Sequence, residues 1–134
     1  VRVALVSYKC GWEDGRKAGT GAGQPRMAVY AAPTGDTADK TLPESMSFCR
    51  VSGDNVMLTA IKKCDDDDGV VIRCCEMEGR DAESEVAWFT GITKAMRANI
   101  IEEEGSPVGL SGGAFRARIG HHAIETFKIA PVMK

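Results

Sequence analysis

The sequence predicts an all-β fold, namely an antiparallel β-sandwich of about eight or nine short strands. Apolar and polar residues alternate in several short runs, which is the pattern of half-buried strands. Turn signals rich in Gly, Pro, Asn and Asp separate these runs, and convincing helical periodicity is missing. Because a domain usually contains about 100–200 residues, we expect residues 1–134 to form one sandwich domain.

The clearest strand signals lie in the centre of the chain, between Ser47 and Gly79. Three runs predict strands there, over residues 47–52, 55–63 and 70–78. The last two runs are separated by an Asp-rich turn that ends in Gly69. Asp and Gly readily supply the positive φ angles that tight turns need, so the two runs are expected to form a β-hairpin.

The flanking regions predict further strands and two loops. Alternation predicts strands over residues 1–8, 27–31, 85–89, 114–119 and 123–129. Segments rich in Gly and polar residues predict loops over residues 9–26 and 105–113. Residues 93–104 are ambiguous, because Met96, Ile100 and Ile101 fit a helical stripe while alternation fits nearly as well.

Composition and charge argue against two classes of partner. The net charge is −2, and Lys62-Lys63 is followed at once by an acidic run, so no positive footprint for nucleic acid is expected. No run approaches the roughly 18–20 apolar residues of a membrane span. The first ten residues have too short an apolar core for a signal peptide.

The cysteines favour a reducing compartment. The five cysteines are Cys10, Cys49, Cys64, Cys74 and Cys75. Their odd number and the adjacent pair argue against a disulfide framework. We expect them to be small buried hydrophobic residues, as cysteines are in reduced proteins. The sequence therefore predicts a cytoplasmic protein.

Three segments have the composition of a phosphate or metal site without its spacing. The glycine-rich residues 19–23 lack the Gly-Lys-Ser/Thr ending of a phosphate loop. The run Asp65–Asp68 lacks the spaced ligands of a calcium loop. His121 and His122 would point to opposite faces of a strand and could not share a zinc ion. We therefore assign no catalytic residue and no metal ligand.

Sugar chemistry leaves weak candidates. Glycoside hydrolysis needs two carboxylates about 5–10 Å apart, and nothing isolates a pair among Glu76, Glu78, Glu85 and Glu125. Aromatic faces stack on sugars, and the candidates are Trp12, Tyr30 and Trp88. Trp88 is expected in the core because it lies among apolar residues, so Trp12 is the best exposed candidate.

Several segments in order along the chain resemble one known family. They are Ser47-Phe48, Asn55-Val56-Met57-Leu58, Lys62-Lys63, residues 65–69, Arg73 to Gly79, Ala98-Asn99-Ile100-Ile101-Glu102 and residues 124–129. Together they resemble the C-terminal β domain of glycoside hydrolase family 38 α-mannosidases, in the bacterial and cytosolic branch. The resemblance favours strand for residues 93–104.

The resemblance implies a function for the parent enzyme. In such enzymes the zinc ligands and the nucleophilic aspartate lie in an N-terminal α/β barrel. The chain would thus be a non-catalytic C-terminal domain of a zinc-dependent retaining α-mannosidase, with zinc expected in the catalytic domain and no cofactor of its own. Its expected partners are the catalytic and other domains of that enzyme, and mannose-containing glycans.

Arg73 and Trp12 are the candidate substrate-binding residues. An arginine in an apolar strand is costly to bury unless it is paired. We expect Arg73 to pair with Glu76 or Glu78, or to reach across to the barrel and line the cleft. Two alternatives stay open: a free-standing carbohydrate-binding module that uses Trp12 or Tyr30, and a structural domain that docks a partner through an apolar patch.

Overall fold

The computed structural model describes residues 45–132 and seven positions nearer the N-terminus, which are Leu5, Ser7, Lys9, Gly11, Trp12, Gly15 and Arg16. The chain divides into two compact units, Val1–Pro43 and Glu44–Lys134. That residues 1–134 form one sandwich domain stays a prediction.

Little of the first unit is described. Trp12, Gly15 and Arg16 are helical, whereas the sequence predicts a loop there. The predicted strand over residues 1–8 falls outside the described residues except for Leu5 and Ser7, neither of which lies in a strand. The predicted strand over residues 27–31 lies wholly outside them. None of the described helical residues belongs to a helix long and apolar enough to cross a membrane.

Residues 45–132 form nine strands in two antiparallel sheets. The strands are β1 (Cys49–Val51), β2 (Val56–Lys63), β3 (Val70–Glu76), β4 (Ala82–Trp88), β5 (Ile92–Ala98), β6 (Glu104–Pro107), β7 (Leu110–Ser111), β8 (Ala114–Ile119) and β9 (Ile124–Pro131). One sheet has the order β1-β4-β8-β7 and the other β2-β3-β9-β5-β6. The prediction of an all-β sandwich of eight or nine short strands is confirmed for these residues.

The core lies between the two sheets. Its buried residues come from β3, β4, β5, β8 and β9, mostly at alternate positions, since successive side chains of a strand point to opposite faces. Phe115 of the four-stranded sheet and Phe127 of the five-stranded sheet are both fully buried, with ring centroids 4.9 Å apart. Ile72, Val86 and Ile119 complete the centre of this cluster. Burial of these side chains holds the sheets face to face.

Most predicted strands are confirmed within one or two residues, including the hairpin of β2 and β3 and the strand over residues 114–119. Three predictions were wrong in part. β4 begins at Ala82, before the predicted start at residue 85, because the alternation of buried and exposed residues extends through residues 82–84. The predicted loop over residues 105–113 contains most of β6 and all of β7. β9 continues past the predicted end at residue 129 and ends at Pro131.

The ambiguous segment 93–104 is mainly strand. β5 runs to Ala98 and pairs with β9, and a short loop then leads to β6. The side chain of Asn99 ends the strand: its Oδ1 accepts hydrogen bonds from the backbone N–H groups of Ile101 and Glu103 at 3.1 and 3.0 Å. Such local bonding by Asn competes with continuation of a strand.

Candidate functional site

The candidate site is the outer face of the five-stranded sheet, which points away from the core. Alternation places on this face the residues adjacent to the core positions, among them Arg73 of β3 and Thr126 and Lys128 of β9. Arg73 lies beside Thr126 in the ladder. The strand ladder therefore brings the predicted substrate-binding arginine, itself half-buried, next to polar groups from a neighbouring strand that are largely buried.

Arg73 has different partners from those that the sequence suggested. Its Nε donates to Thr126 Oγ1 at 3.2 Å, and its Nη2 donates to the carbonyl oxygen of Ile100 at 3.3 Å. Glu76 is instead held by other donors, and Glu78 accepts from Arg80. Arg73 is half-buried, so these two bonds offset part of the cost of desolvating its guanidinium. Arg73 thus anchors a neighbouring loop.

That loop, residues 99–103 between β5 and β6, is here called the Asn99 loop. Besides the two backbone bonds accepted by Asn99 Oδ1, the Asn99 amide donates to Glu103 Oε2 at 2.7 Å. Glu102 adopts a φ of 71°, which is uncommon for a residue other than glycine. The bonds within the loop, together with the one from Arg73, fix its backbone in one conformation.

Glu102 connects the Asn99 loop to β2, the strand at the opposite edge of the sheet. Its side chain is 9 % exposed and forms an ion pair of 2.5 Å with Lys62 of β2. The hydrogen bonds that Lys62 donates to the carboxylates of Glu102 and Asp65 raise its pKa. The loop therefore lies across the outer face and is held at both Arg73 and Lys62. It leaves two adjacent apolar side chains exposed, Ile100 at 72 % and Ile101 at 70 %.

A groove of about 300 Å³ lies beside the β2–β3 hairpin tip. Its charged residues are paired: Lys128 Nζ lies 3.0 Å from Asp67 Oδ2, and Lys94 Nζ lies 2.7 Å from Glu104 Oε2. The hydrogen bond from Lys128 and the backbone N–H of Gly69 lower the pKa of Asp67. The remaining lining is mostly apolar, so the groove combines paired charges with apolar surface.

Glu76 occupies a buried nest of donors at the end of β3. Its Oε1 accepts from the Asn55 amide at 2.9 Å and from the Glu78 N–H at 2.7 Å. Its Oε2 accepts from the N–H groups of Gly79 at 2.8 Å and His122 at 2.9 Å. Burial would by itself raise the pKa of Glu76, but these bonds outweigh it and lower the pKa from 4.5 to about 2. All four donors are thereby used, so this carboxylate serves structure.

The four carboxylates considered for glycoside hydrolysis have separate partners. Glu76 lies in its nest, Glu78 bonds to Arg80, Glu85 Oε2 lies 3.0 Å from Arg116 Nε, and Glu125 pairs with Arg97. Each is thus held by its own structural contact. Within residues 45–132, no group of three or more His, Cys, Asp and Glu side chains is placed to bind a metal ion.

The histidines and Trp12 lie where ligands could reach them. His121 and His122 are exposed and belong to the turn between β8 and β9 rather than to a strand, with ring centroids 6.4 Å apart. Trp12 is 51 % exposed, and it belongs to the first unit. Trp88 packs against the core, as the sequence predicts. Nothing in the structure tests substrate binding by Trp12 or Arg73, and Tyr30 lies outside the described residues.

Two features escaped the sequence analysis. Arg97 of β5 pairs with Glu125, donates to the Arg118 carbonyl of the other sheet at 2.5 Å, and lies 5.4 Å from the Phe127 ring centroid. The sequence feature that could have revealed Arg97 is an arginine at a core-facing position of an alternating strand. The nest around Glu76 was missed because its donors are backbone groups, which no residue pattern reveals.

Comparison with known families identifies the chain. The family model described as "Glycosyl hydrolases family 38 C-terminal beta sandwich domain" matches residues 55–127. This range starts just before β2 and ends inside β9, so it covers the Glu76 nest, the Arg73 contacts and the Asn99 loop. A search of curated proteins finds no significant match.

The chain belongs to the glycosyl hydrolase family 38 C-terminal β-sandwich domain family, since the matched range covers more than half of its length. The predicted resemblance is thereby confirmed. A domain of this family is part of a larger, multidomain enzyme, and the parent of this domain is a glycoside hydrolase of family 38.

Proposed function

We propose that this chain is a non-catalytic domain of a zinc-dependent, retaining α-mannosidase, whose separate catalytic barrel hydrolyses terminal α-mannosides. The observation that carries the proposal is the family match over residues 55–127. The arrangement of the carboxylates agrees with it, because each of the four candidates is tied to a structural partner. The domain would support the barrel by packing against it.

Zinc is assigned to the catalytic domain in this proposal. The described residues of this chain supply no set of three potential ligands, so we assign no catalytic step to them. In the parent enzyme the metal would orient the sugar and offset developing charge. We also propose a cytoplasmic location, which is supported by free thiols at Cys49, Cys64, Cys74 and Cys75.

The test is an assay of the complete polypeptide that carries this domain. We expect hydrolysis of aryl α-mannosides with retention of configuration at the anomeric carbon, about one bound zinc ion per polypeptide, and loss of activity with a chelator. The 134-residue chain alone should show no turnover. Hydrolysis of a different glycoside, or turnover by the chain alone, would contradict the proposal.

A second candidate function is glycan binding by the chain itself, which the half-exposed indole of Trp12 favours. The apolar face of a sugar stacks on such a ring, and this contact is lost when the ring is removed. Titration calorimetry of the chain with mannose oligosaccharides should then show binding that Trp12→Ala removes. Absence of heat in the unsubstituted chain would rule this candidate out.

A further inference from the structure

We infer that Ile100 and Ile101 of the Asn99 loop form an apolar anchor that inserts into a pocket of another domain of the same family 38 polypeptide. The two side chains are adjacent, and their exposed fractions are 72 % and 70 %. Single exposed apolar residues are ordinary on a protein surface, whereas apolar residues grouped in one exposed patch can mark an interaction site.

The backbone of the loop is already in place before any partner arrives. Asn99 Oδ1 accepts from two backbone N–H groups, Arg73 donates to the Ile100 carbonyl, and Glu102 is tied to Lys62. A loop that is fixed in advance loses little conformational entropy on docking, which strengthens binding. The positive φ of Glu102 is strain that the surrounding contacts maintain, and such strain is concentrated at functional sites.

Lys62 and Arg73, the cations that hold the Asn99 loop, already have partners within the domain. Lys62 is paired with Glu102 and Asp65, and the Arg73 guanidinium is bonded to Thr126 and to the loop itself. Lys62 and Arg73 therefore need no counter-charge from a partner domain, which has to supply an apolar pocket for the two isoleucines. The Glu103 carboxylate, bonded to the Asn99 amide, would stay outside that pocket. Such a pocket would bury both side chains without leaving a charge unpaired.

The size of the anchor favours a domain of the same polypeptide over a second copy. Burial of one isoleucine side chain removes on the order of 100 Å² of apolar surface from water. A stable interface between separate chains needs about 800 Å² on each partner. A domain joined by a linker has an effective concentration near the millimolar range, so a small anchor suffices.

This inference rests on the proposed function, because it takes the partner domain from the same multidomain glycosidase. The experiment compares hydrogen–deuterium exchange in the complete polypeptide and in the 134-residue chain. Variants are I100S/I101S and, as a matched control, Leu110→Ser, because Leu110 is 41 % exposed and lies in β7 of the other sheet. Thermal unfolding of the 134-residue chain reports any effect within the domain itself.

We expect amides of the Asn99 loop to exchange at least about tenfold more slowly in the complete polypeptide than in the chain alone, as docking protects them. The double variant should abolish this difference while the melting temperature of the chain stays unchanged, and Leu110→Ser should preserve it. Equal exchange in both contexts would overturn the inference. So would a dimer of the chain that the double variant dissociates, since the occupant would then be a second copy.

The two proposals fail separately. Protection of the Asn99 loop in a polypeptide without mannosidase activity would uphold the anchor and overturn the proposed function. Mannosidase activity with no protection of the loop would overturn the anchor alone.

Discussion

The carboxylate of Glu76 accepts a hydrogen bond of 2.9 Å from the side-chain amide of Asn55, although the two residues lie 21 positions apart. Asn55 also donates to the Arg80 carbonyl at 3.1 Å, so one buried amide connects the start of β2 to the segments on either side of the β3–β4 turn. This contact and three backbone N–H groups make Glu76 the centre of the loops at one end of the sandwich.

Replacement of Glu76 by Gln should destabilise the domain by about 1–3 kcal/mol at pH 7, because an amide N–H₂ would face backbone donors in a buried site. The measurement is urea unfolding of the 134-residue chain. The matched control is Glu85→Gln, whose side chain is 37 % exposed in a surface ion pair. That control should change stability by less than about 0.5 kcal/mol.

The pH dependence of stability gives a second test of the Glu76 nest. Its pKa is about 2 in the folded chain against an ordinary 4.5, so the charged form stabilises the fold fully above pH 4.5. This contribution is lost as the pH falls from 4.5 towards 2, because protons then bind the unfolded state first. The deficit of Glu76→Gln relative to the unsubstituted chain should therefore shrink across that interval. A constant deficit would contradict the lowered pKa of Glu76 in the folded chain.

Replacement of Arg73 by Met should loosen the Asn99 loop, since the bond to the Ile100 carbonyl is lost. We expect faster hydrogen exchange at residues 99–103 and a loss of about 1 kcal/mol in stability. Turnover by the complete enzyme separates two roles: unchanged turnover assigns Arg73 a structural role, whereas a higher KM with intact stability assigns it to the substrate cleft. Arg73→Lys keeps the charge and serves as the control.

Replacement of Gly69 by Ala should destabilise the β2–β3 hairpin. An added Cβ would lie 3.0 Å from the carbonyl oxygen of Ile129 and 3.1 Å from Cys64 Sγ, which is tighter than ordinary packing. We expect a loss of about 1–3 kcal/mol from this overpacking, measured by thermal unfolding. Gly109→Ala is the control, since its Cβ would meet nothing within 4 Å. Equal effects of the two substitutions would contradict the close approach at Gly69.

The cysteines should differ in reactivity in the native chain. Burial raises the pKa of Cys74 to about 12 and, with a hydrogen bond to Asp67, that of Cys64 to about 11. Since the thiolate is the reactive form, both should resist iodoacetamide at pH 8. Among the four cysteines that the structure describes, Cys75, which is partly exposed, should be labelled before Cys64 and Cys74. Peptide mapping by mass spectrometry checks the order, and rapid labelling of Cys74 before unfolding would contradict it.

The sequence predicted the sandwich well because alternation reports directly on burial. The strands over residues 114–119 and of the Asp-rich hairpin follow from the side-chain period. The positive φ angles expected for the hairpin turn were wrong, since residues 64–69 are not among those with positive φ. It predicted β6 poorly, because all four residues of that strand are exposed and carry no alternation. The Glu76 nest and the anchoring of Ile100 by Arg73 could not be predicted, since both depend on backbone groups brought together by the fold.

The outermost strands limit how this domain can associate with other chains. In one sheet they are β1, with three residues, and β7, with two. In the other sheet the border strands are β2, which ends in Lys62 and Lys63, and β6, which contains Pro107. Short length, lysine and proline each discourage an incoming strand from continuing a sheet. In the part of the chain that the structure describes, these edges therefore disfavour amyloid-like stacking, and we expect contacts with the rest of the enzyme to be made by side chains rather than by strand addition.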